Sequence, residues 1–147
     1  MHQNILFDRV KGLIESYDFS KPFSLYLKDL FKLNPKMGAR DRRETRDYCY
    51  HYLRLGSNLN EEKFHTKLAV ASFICSSVKT QSLEILLAEH SSLNIDEIDS
   101  GTDNKVEIVK GIFPDFSLRK IFPDPELLSD EIDIDSFCKS FLIQPRV

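Results

Sequence analysis

Glycine and cysteine are both scarce in this chain, and no long apolar run occurs in it. The five glycines form neither a GxxxxGK[ST] nor a GxGxxG loop, and no Gly-x-Ser-x-Gly elbow is present, so the usual cradles for phosphates and nucleotides and the hydrolase nucleophile turn are missing from the sequence. The three cysteines, Cys49, Cys75 and Cys138, are odd in number and far apart. That spacing fits neither a disulfide framework nor a zinc site with paired ligands, and it leads to the expectation of a reduced, cytoplasmic setting. No stretch of about 18 apolar residues is available to span a bilayer, and Met1-His2-Gln3-Asn4 lacks the basic and apolar segments of a secretory signal. Membrane partners are therefore not expected.

What is present is the composition of a globular domain: 147 residues, 41% hydrophobic and 29% charged. One domain is the expectation at this length, with roughly 68–70% of the unfolded surface buried on folding and no need of disulfides. The net charge of −3 conceals a polarity along the chain. Residues 1–80 carry 14 Lys/Arg against 9 Asp/Glu, whereas residues 81–147 carry 6 against 14. A polyanion would be attracted to the first part and repelled by the second, so any nucleic-acid contact is expected in the N-terminal half.

Apolar periodicity is of the helical kind throughout. Ile5, Leu6, Val10, Leu13, Ile14 and Tyr17 form one stripe, and Phe23, Leu27, Leu30 and Phe31 a second, opened by Pro22 and stopped by Asn34-Pro35. A third helix is expected from about Arg40 to Leu55, facing inward through Thr45, Cys49, Tyr52 and Leu53, with Gly56 in the left-handed turn past its end. Asn58 or Asn60 is the candidate cap of a fourth helix carrying Phe64, Leu68, Ala71 and Cys75, and Thr80 of a fifth carrying Leu83, Leu86 and Leu87. Residues 91–104 read as a polar loop with a short turn at Ile95–Ile98, and Val106–Phe113 as a short helix weakened by Gly111. Pro114, Pro123 and Pro125 make the following segment irregular, laid on the core through Phe116, Leu118, Ile121, Phe122 and Leu127, before a last short helix at Asp135–Leu142. The sum is an all-α bundle of five to seven helices with an irregular proline-containing C-terminal segment.

The densest cationic cluster is Lys36, Arg40, Arg42, Arg43 and Arg46. Arg42 and Arg46 are spaced i,i+4 and Arg43 and Arg46 i,i+3, so three guanidiniums share a helix face and present forks suited to phosphates. The competing reading is a self-neutralised surface, because Arg40–Glu44 and Arg43–Asp47 are also i,i+4 pairs. Tyr48, Tyr50 and Tyr52 on the same helix offer rings for base stacking, although they cannot all face one way. Cys49 and His51 lie about 200° apart on a helix and cannot act as a nucleophile–base pair; a buried cysteine and a surface histidine are expected. His2, His65 and His90 show no metal spacing. The acidic stretches Asp96–Asp99 and Asp130–Asp135 lack the ligand alternation of a calcium loop.

Two stretches carry a resemblance. Asn34-Pro35-Lys36-Met37-Gly38-Ala39-Arg40-Asp41-Arg42-Arg43, followed by Tyr52-Leu53-Arg54-Leu55-Gly56, resembles the second-to-third helix junction in the N-terminal NusB-like domain of the Fmu/Sun family. Members of that family are S-adenosylmethionine-dependent methyltransferases acting on carbon 5 of cytosine in small-subunit (16S) ribosomal RNA. Phe137-Cys138-Lys139-Ser140-Phe141-Leu142-Ile143-Gln144-Pro145 is similar to the segment leading into that family's RNA-contacting subdomain. The resemblance implies a NusB-like domain over residues 1–142, with 143–147 starting a linker to a catalytic region, and RNA contacts at Lys36, Arg40, Arg42, Arg43 and Arg46. In physical terms Gly38 permits a tight connection. Family catalysis uses a glycine-rich cofactor loop and two cysteines, one in a Pro-Cys dipeptide. Here Cys49 follows Tyr48, Cys75 follows Ile74 and Cys138 follows Phe137, so no catalytic residue is assigned. The implied partners are ribosomal RNA and the catalytic domain of the same polypeptide. No metal or cofactor is expected in this chain itself, and S-adenosylmethionine would belong to the parent enzyme. The alternative implied by the same fold is a stand-alone NusB-like protein-interaction or transcription antitermination module.

Overall fold

The Leu6–Val10–Leu13 stripe closes into a helix, and the same holds for each apolar stripe that follows it. The structure, a computed structural model, describes residues 2–120, with side chains from Ile5 onward. It is all-α: six helices and two 3₁₀ turns, with no strand among the described residues. The helices are α1 (His2–Ser16), α2 (Phe23–Leu33), α3 (Ala39–Leu53), α4 (Phe64–Cys75), α5 (Gln81–His90) and α6 (Thr102–Ile112). The expected helix at Asp135–Leu142, the inward residues Ile121, Phe122 and Leu127, Cys138 and the 137–147 tail lie outside the described residues. The chain divides into two compact units, residues 1–50 and 51–147.

In the first unit the core is built from large rings. Phe7 and Val10 of α1, Phe23 and Leu27 of α2, and Tyr48 and Cys49 of α3 are buried. Phe7 meets Tyr48 edge-on at 5.4 Å, and Tyr17, Phe23, Tyr26 and Tyr50 form a chain of ring contacts at 4.9–5.6 Å. Each such pair adds about 0.5–1.5 kcal/mol beyond its area burial. Tyr26 Oη donates to the Leu13 carbonyl at 2.8 Å, and Arg9 Nη1 donates to Thr45 Oγ1 at 3.2 Å, which satisfies the buried hydroxyl of α3. Pro22 stands just before α2 and its carbonyl accepts from Leu25 and Tyr26, both at 3.1 Å. The proline therefore starts the helix where its missing N–H costs nothing.

In the second unit α4 is central. Every residue from Leu68 to Ile74 is buried, so this stretch of α4 is covered on all sides rather than along one stripe. It packs on α5 and α6 through Leu83, Leu86, Leu87, Val106 and Val109, all buried. Thr80 caps α5 as its type predicts, its side chain accepting from Leu83 N at 3.2 Å.

Three expectations need correction here. Neither Asn58 nor Asn60 caps α4, whose preceding residue is Lys63. Asn58 is buried instead, donating to the carbonyls of Leu55 and Ser117, both at 3.0 Å, and accepting from Ser117 N at 2.9 Å. A polar side chain that satisfies backbone groups from two segments serves a clasp better than a cap. Helix α6 begins at Thr102, inside the expected loop, because Gly101 at φ 96° turns the chain into it. Its first-turn neighbour Lys105 is buried and donates from Nζ to the Ser76 carbonyl at 2.6 Å, at the C-terminal end of α4. A cation there is favoured by the helix dipole, while burial lowers the Lys105 pKa. Gly56 does adopt the left-handed turn, at φ 65°, although α3 itself ends at Leu53.

Candidate nucleic-acid interface

The connection between α2 and α3 is short and tied locally. Asn34 closes α2, its N–H donating to Phe31 O at 3.1 Å and its Nδ2 to Leu30 O at 2.9 Å. Met37 N then donates to Asn34 O at 3.1 Å, and Arg42 N to Gly38 O at 3.0 Å in the first turn of α3. Gly38 has an ordinary φ and open space where a Cβ would stand, so the turn does not depend on glycine. The Gly38 carbonyl, not its conformational freedom, is what opens α3.

With about 100° between successive residues, the buried Thr45, Tyr48 and Cys49 define the inner face of α3. Arg42 and Arg46 flank that face and are half-buried, whereas Arg40 and Arg43 stand on the exposed side and Lys36 is exposed in the connection. The five cations expected from the sequence thus fall at one junction, graded from half-buried to fully exposed. Arg40 Nε reaches Glu44 Oε1 at 3.1 Å with its own side chain 84% exposed, a pair worth a few tenths of a kcal/mol in water. The second expected pair is not formed: Arg46 Nε, not Arg43, lies 3.7 Å from Asp47 Oδ1. Lys36, Arg42 and Arg43 make no ion pair among the described residues. Arg42 Nε is cut off from solvent and has no hydrogen-bond partner.

The three tyrosines of α3 are committed elsewhere. Tyr48 is buried against Phe7, Tyr50 lies edge-on to Phe23 at 5.6 Å, and Tyr52 stacks on Phe64 at 4.5 Å with Lys67 Nζ 5.2 Å from its ring centre. Cys49 is fully buried as expected, and burial pushes its thiol up to about 12. His51 is half-buried rather than fully exposed, with Nδ1 3.2 Å from Ser72 Oγ.

Two arrangements were invisible in the sequence. His65 of α4 and His90 of α5 bring their rings within 4.8 Å, although no group of three or more His, Cys, Asp or Glu side chains converges as a metal site among the described residues. In the first unit, an open pocket of about 400 Å³ is lined by residues that include Asp18, Ser20, Lys21, Tyr26 and Asp29, and Lys21 and Asp29 form a 2.7 Å bridge in its wall. Contacts over such sequence separations follow from helix pairing and leave no local signature. Asp96 of the acidic stretch near residue 96 pairs with Lys79 at 3.1 Å, and the Asp130–Asp135 stretch lies outside the described residues. No helix among the described residues is long and apolar enough to cross a membrane.

Compared with family models, curated proteins and solved structures, the chain matches none.

Proposed function

We propose that this chain is an RNA-binding and RNA-positioning module, the N-terminal NusB-like domain of an S-adenosylmethionine-dependent ribosomal RNA cytosine-C5 methyltransferase, and non-catalytic by itself. The observation that carries the RNA reading is the concentration of Lys36, Arg40, Arg42, Arg43 and Arg46 at the α2–α3 junction, three of them without an ion-pair partner among the described residues. The resemblance of residues 34–43 and 52–56 supplies the methyltransferase context. In that context the methyl donor and the catalytic cysteines belong to the enzyme's catalytic half, and this module contributes phosphate contacts that fix the RNA register.

The test is the affinity of the chain for a small-subunit ribosomal RNA fragment, read by fluorescence anisotropy over a range of salt. Binding should weaken steeply with salt, because each neutralised phosphate releases counterions. Lys36→Glu with Arg43→Glu, both exposed and outside the core, should weaken it about tenfold or more at low salt. Unchanged affinity would exclude this face. A chain with no RNA affinity at any salt would replace the reading with the NusB-like protein-interaction module.

A further inference from the structure

We infer that His65 and His90 form a two-nitrogen site for a divalent first-row metal ion, zinc foremost, which clips together the open end of the α4–α5 hairpin. The inference stands apart from the RNA reading and concerns the second unit alone. Helices α4 and α5 pack on each other and are joined by the short connection 76–80. His65 stands in the first turn of α4 and His90 is the last residue of α5, so the two imidazoles meet at the end of the hairpin opposite that connection. Their ring centres lie 4.8 Å apart with the planes tilted by 38°. A zinc–imidazole bond is about 2.0–2.1 Å long, so two imidazoles sharing one ion, at angles between octahedral and tetrahedral, hold their ring centres about 4.5–5.2 Å apart. The two helices thus already stand at the separation that a shared ion requires.

The surroundings suit an open, hydrated site. His65 is half-buried and lies edge-on to Phe64 at 5.8 Å, and Phe64 is itself stacked on Tyr52, which restricts the imidazole. The His90 side chain is 31% exposed, so a hydrated ion reaches the pair from solvent. Glu89 Oε2 lies 3.9 Å from His90 Nε2, too far for a hydrogen bond and near enough to set negative charge beside the ion. No third ligating side chain joins the pair among the described residues, so water takes the remaining positions. The C-terminal end of α5 favours a cation and the N-terminal end of α4 opposes it, which leaves the nitrogens to decide the affinity. Imidazole selects zinc, nickel and copper, whereas magnesium and calcium demand oxygen. Because the two rings are brought together only by folding, the ion binds the folded hairpin and stabilises it.

The intact chain, stripped of metal with a chelator, is titrated with zinc chloride by calorimetry at about pH 7.5, above the ordinary imidazole range. The expected result is one bound equivalent, an unfolding midpoint that rises with zinc, and no binding of magnesium or calcium at the same concentrations. His65→Gln and His90→Gln should each weaken zinc binding about tenfold or more. A second measurement needs no variant: paramagnetic nickel added to the isotope-labelled chain should broaden the amide signals of residues 64–67 and 87–90 first. A smaller loss in either folded variant, or nickel broadening centred on other residues, overturns the inference and leaves the two rings a simple aromatic pair. Calcium binding as tight as zinc binding, or no zinc binding by the unaltered chain at millimolar ion, overturns it equally.

Discussion

The two units solve the burial problem with different side chains, and their surfaces differ to match. Residues 1–50 carry 10 Lys/Arg against 7 Asp/Glu, and residues 51–147 carry 10 against 16. The first unit holds its helices with long aromatic reach, Phe7 on Tyr48 and Phe23 on Tyr26 and Tyr50. The second packs aliphatics of α5 and α6 around an α4 that is buried throughout Leu68–Ile74. Rings bridge helices whose backbones stay farther apart, which leaves helix flanks such as that of Arg42 and Arg46 only half covered. The unit with the ring-built core is also the one that carries the cationic junction.

The most severe way to test this contrast is to empty each core in turn. Phe73 and Phe7 are both fully buried, and Phe→Ala should cost about 3–5 kcal/mol at either site. The location of the damage should differ. Phe73→Ala is expected to raise amide hydrogen exchange through residues 64–112, and Phe7→Ala through α1 and α3. Exchange that spreads identically in both variants would remove the distinction between the two cores.

A smaller effect is expected at Asn58. Its side chain holds Leu55 O, Ser117 O and Ser117 N at once, and because the two carbonyls also accept from Asn58 N and Lys120 N, Asn58→Ala strips the partner from Ser117 N alone, at about 1–3 kcal/mol when no water replaces it. Urea unfolding should show the loss, and Asn58→Asp should recover only the bond accepted from Ser117 N. A loss below about 0.5 kcal/mol would mean that the clasp is dispensable.

The least effect belongs to the exposed bridge of the first unit. Hydrogen bonding to Lys21 holds the Asp29 carboxyl below its ordinary 3.8, and the bond to Asp29 holds Lys21 above 10.5. Hydrogen bonds from Ser20 lower Asp18 likewise. A carboxyl with a lowered folded pKa binds fewer protons folded than unfolded near pH 3.8. Its contribution is therefore complete at neutral pH and is lost as pH falls from about 3.8 through the folded value. The Lys21 contribution is complete below about 10.5 and is lost as pH rises through its raised folded value. Lys21→Met should flatten both edges of the stability–pH curve and change little between them. A large loss at pH 7 would show the bridge to be more than a surface pair.

Much of the helical layout was legible from residue types. Pro22, Asn34-Pro35, Thr80 and the apolar stripes mark α1, α2 and α5 because local steric and capping rules act within a turn or two. The same rules misplaced the starts of α4 and α6. Asn58 has the chemistry of a cap, but Ser117, far away in sequence, gives it two hydrogen bonds and Leu55 a third. Thr102 to Asn104 look like loop, yet the helix starts there and the buried Lys105 that follows reaches the Ser76 carbonyl at the end of α4. At the candidate site, membership was legible and pairing was not. All five cations were visible as a cluster, and the i,i+4 rule correctly paired Arg40 with Glu44 but assigned Asp47 to Arg43 rather than Arg46.

By itself, then, the amino-acid order determined the all-helical class, the break at residues 34–38 and the concentration of positive charge beside it, because periodicity, proline and charge are properties of neighbours in the chain. Only the tertiary structure decided which arginines are half-buried, which tyrosines are consumed by other rings, and where Asn58 and Lys105 find their partners. Those outcomes depend on surfaces brought together from distant positions, and no local rule carries that information.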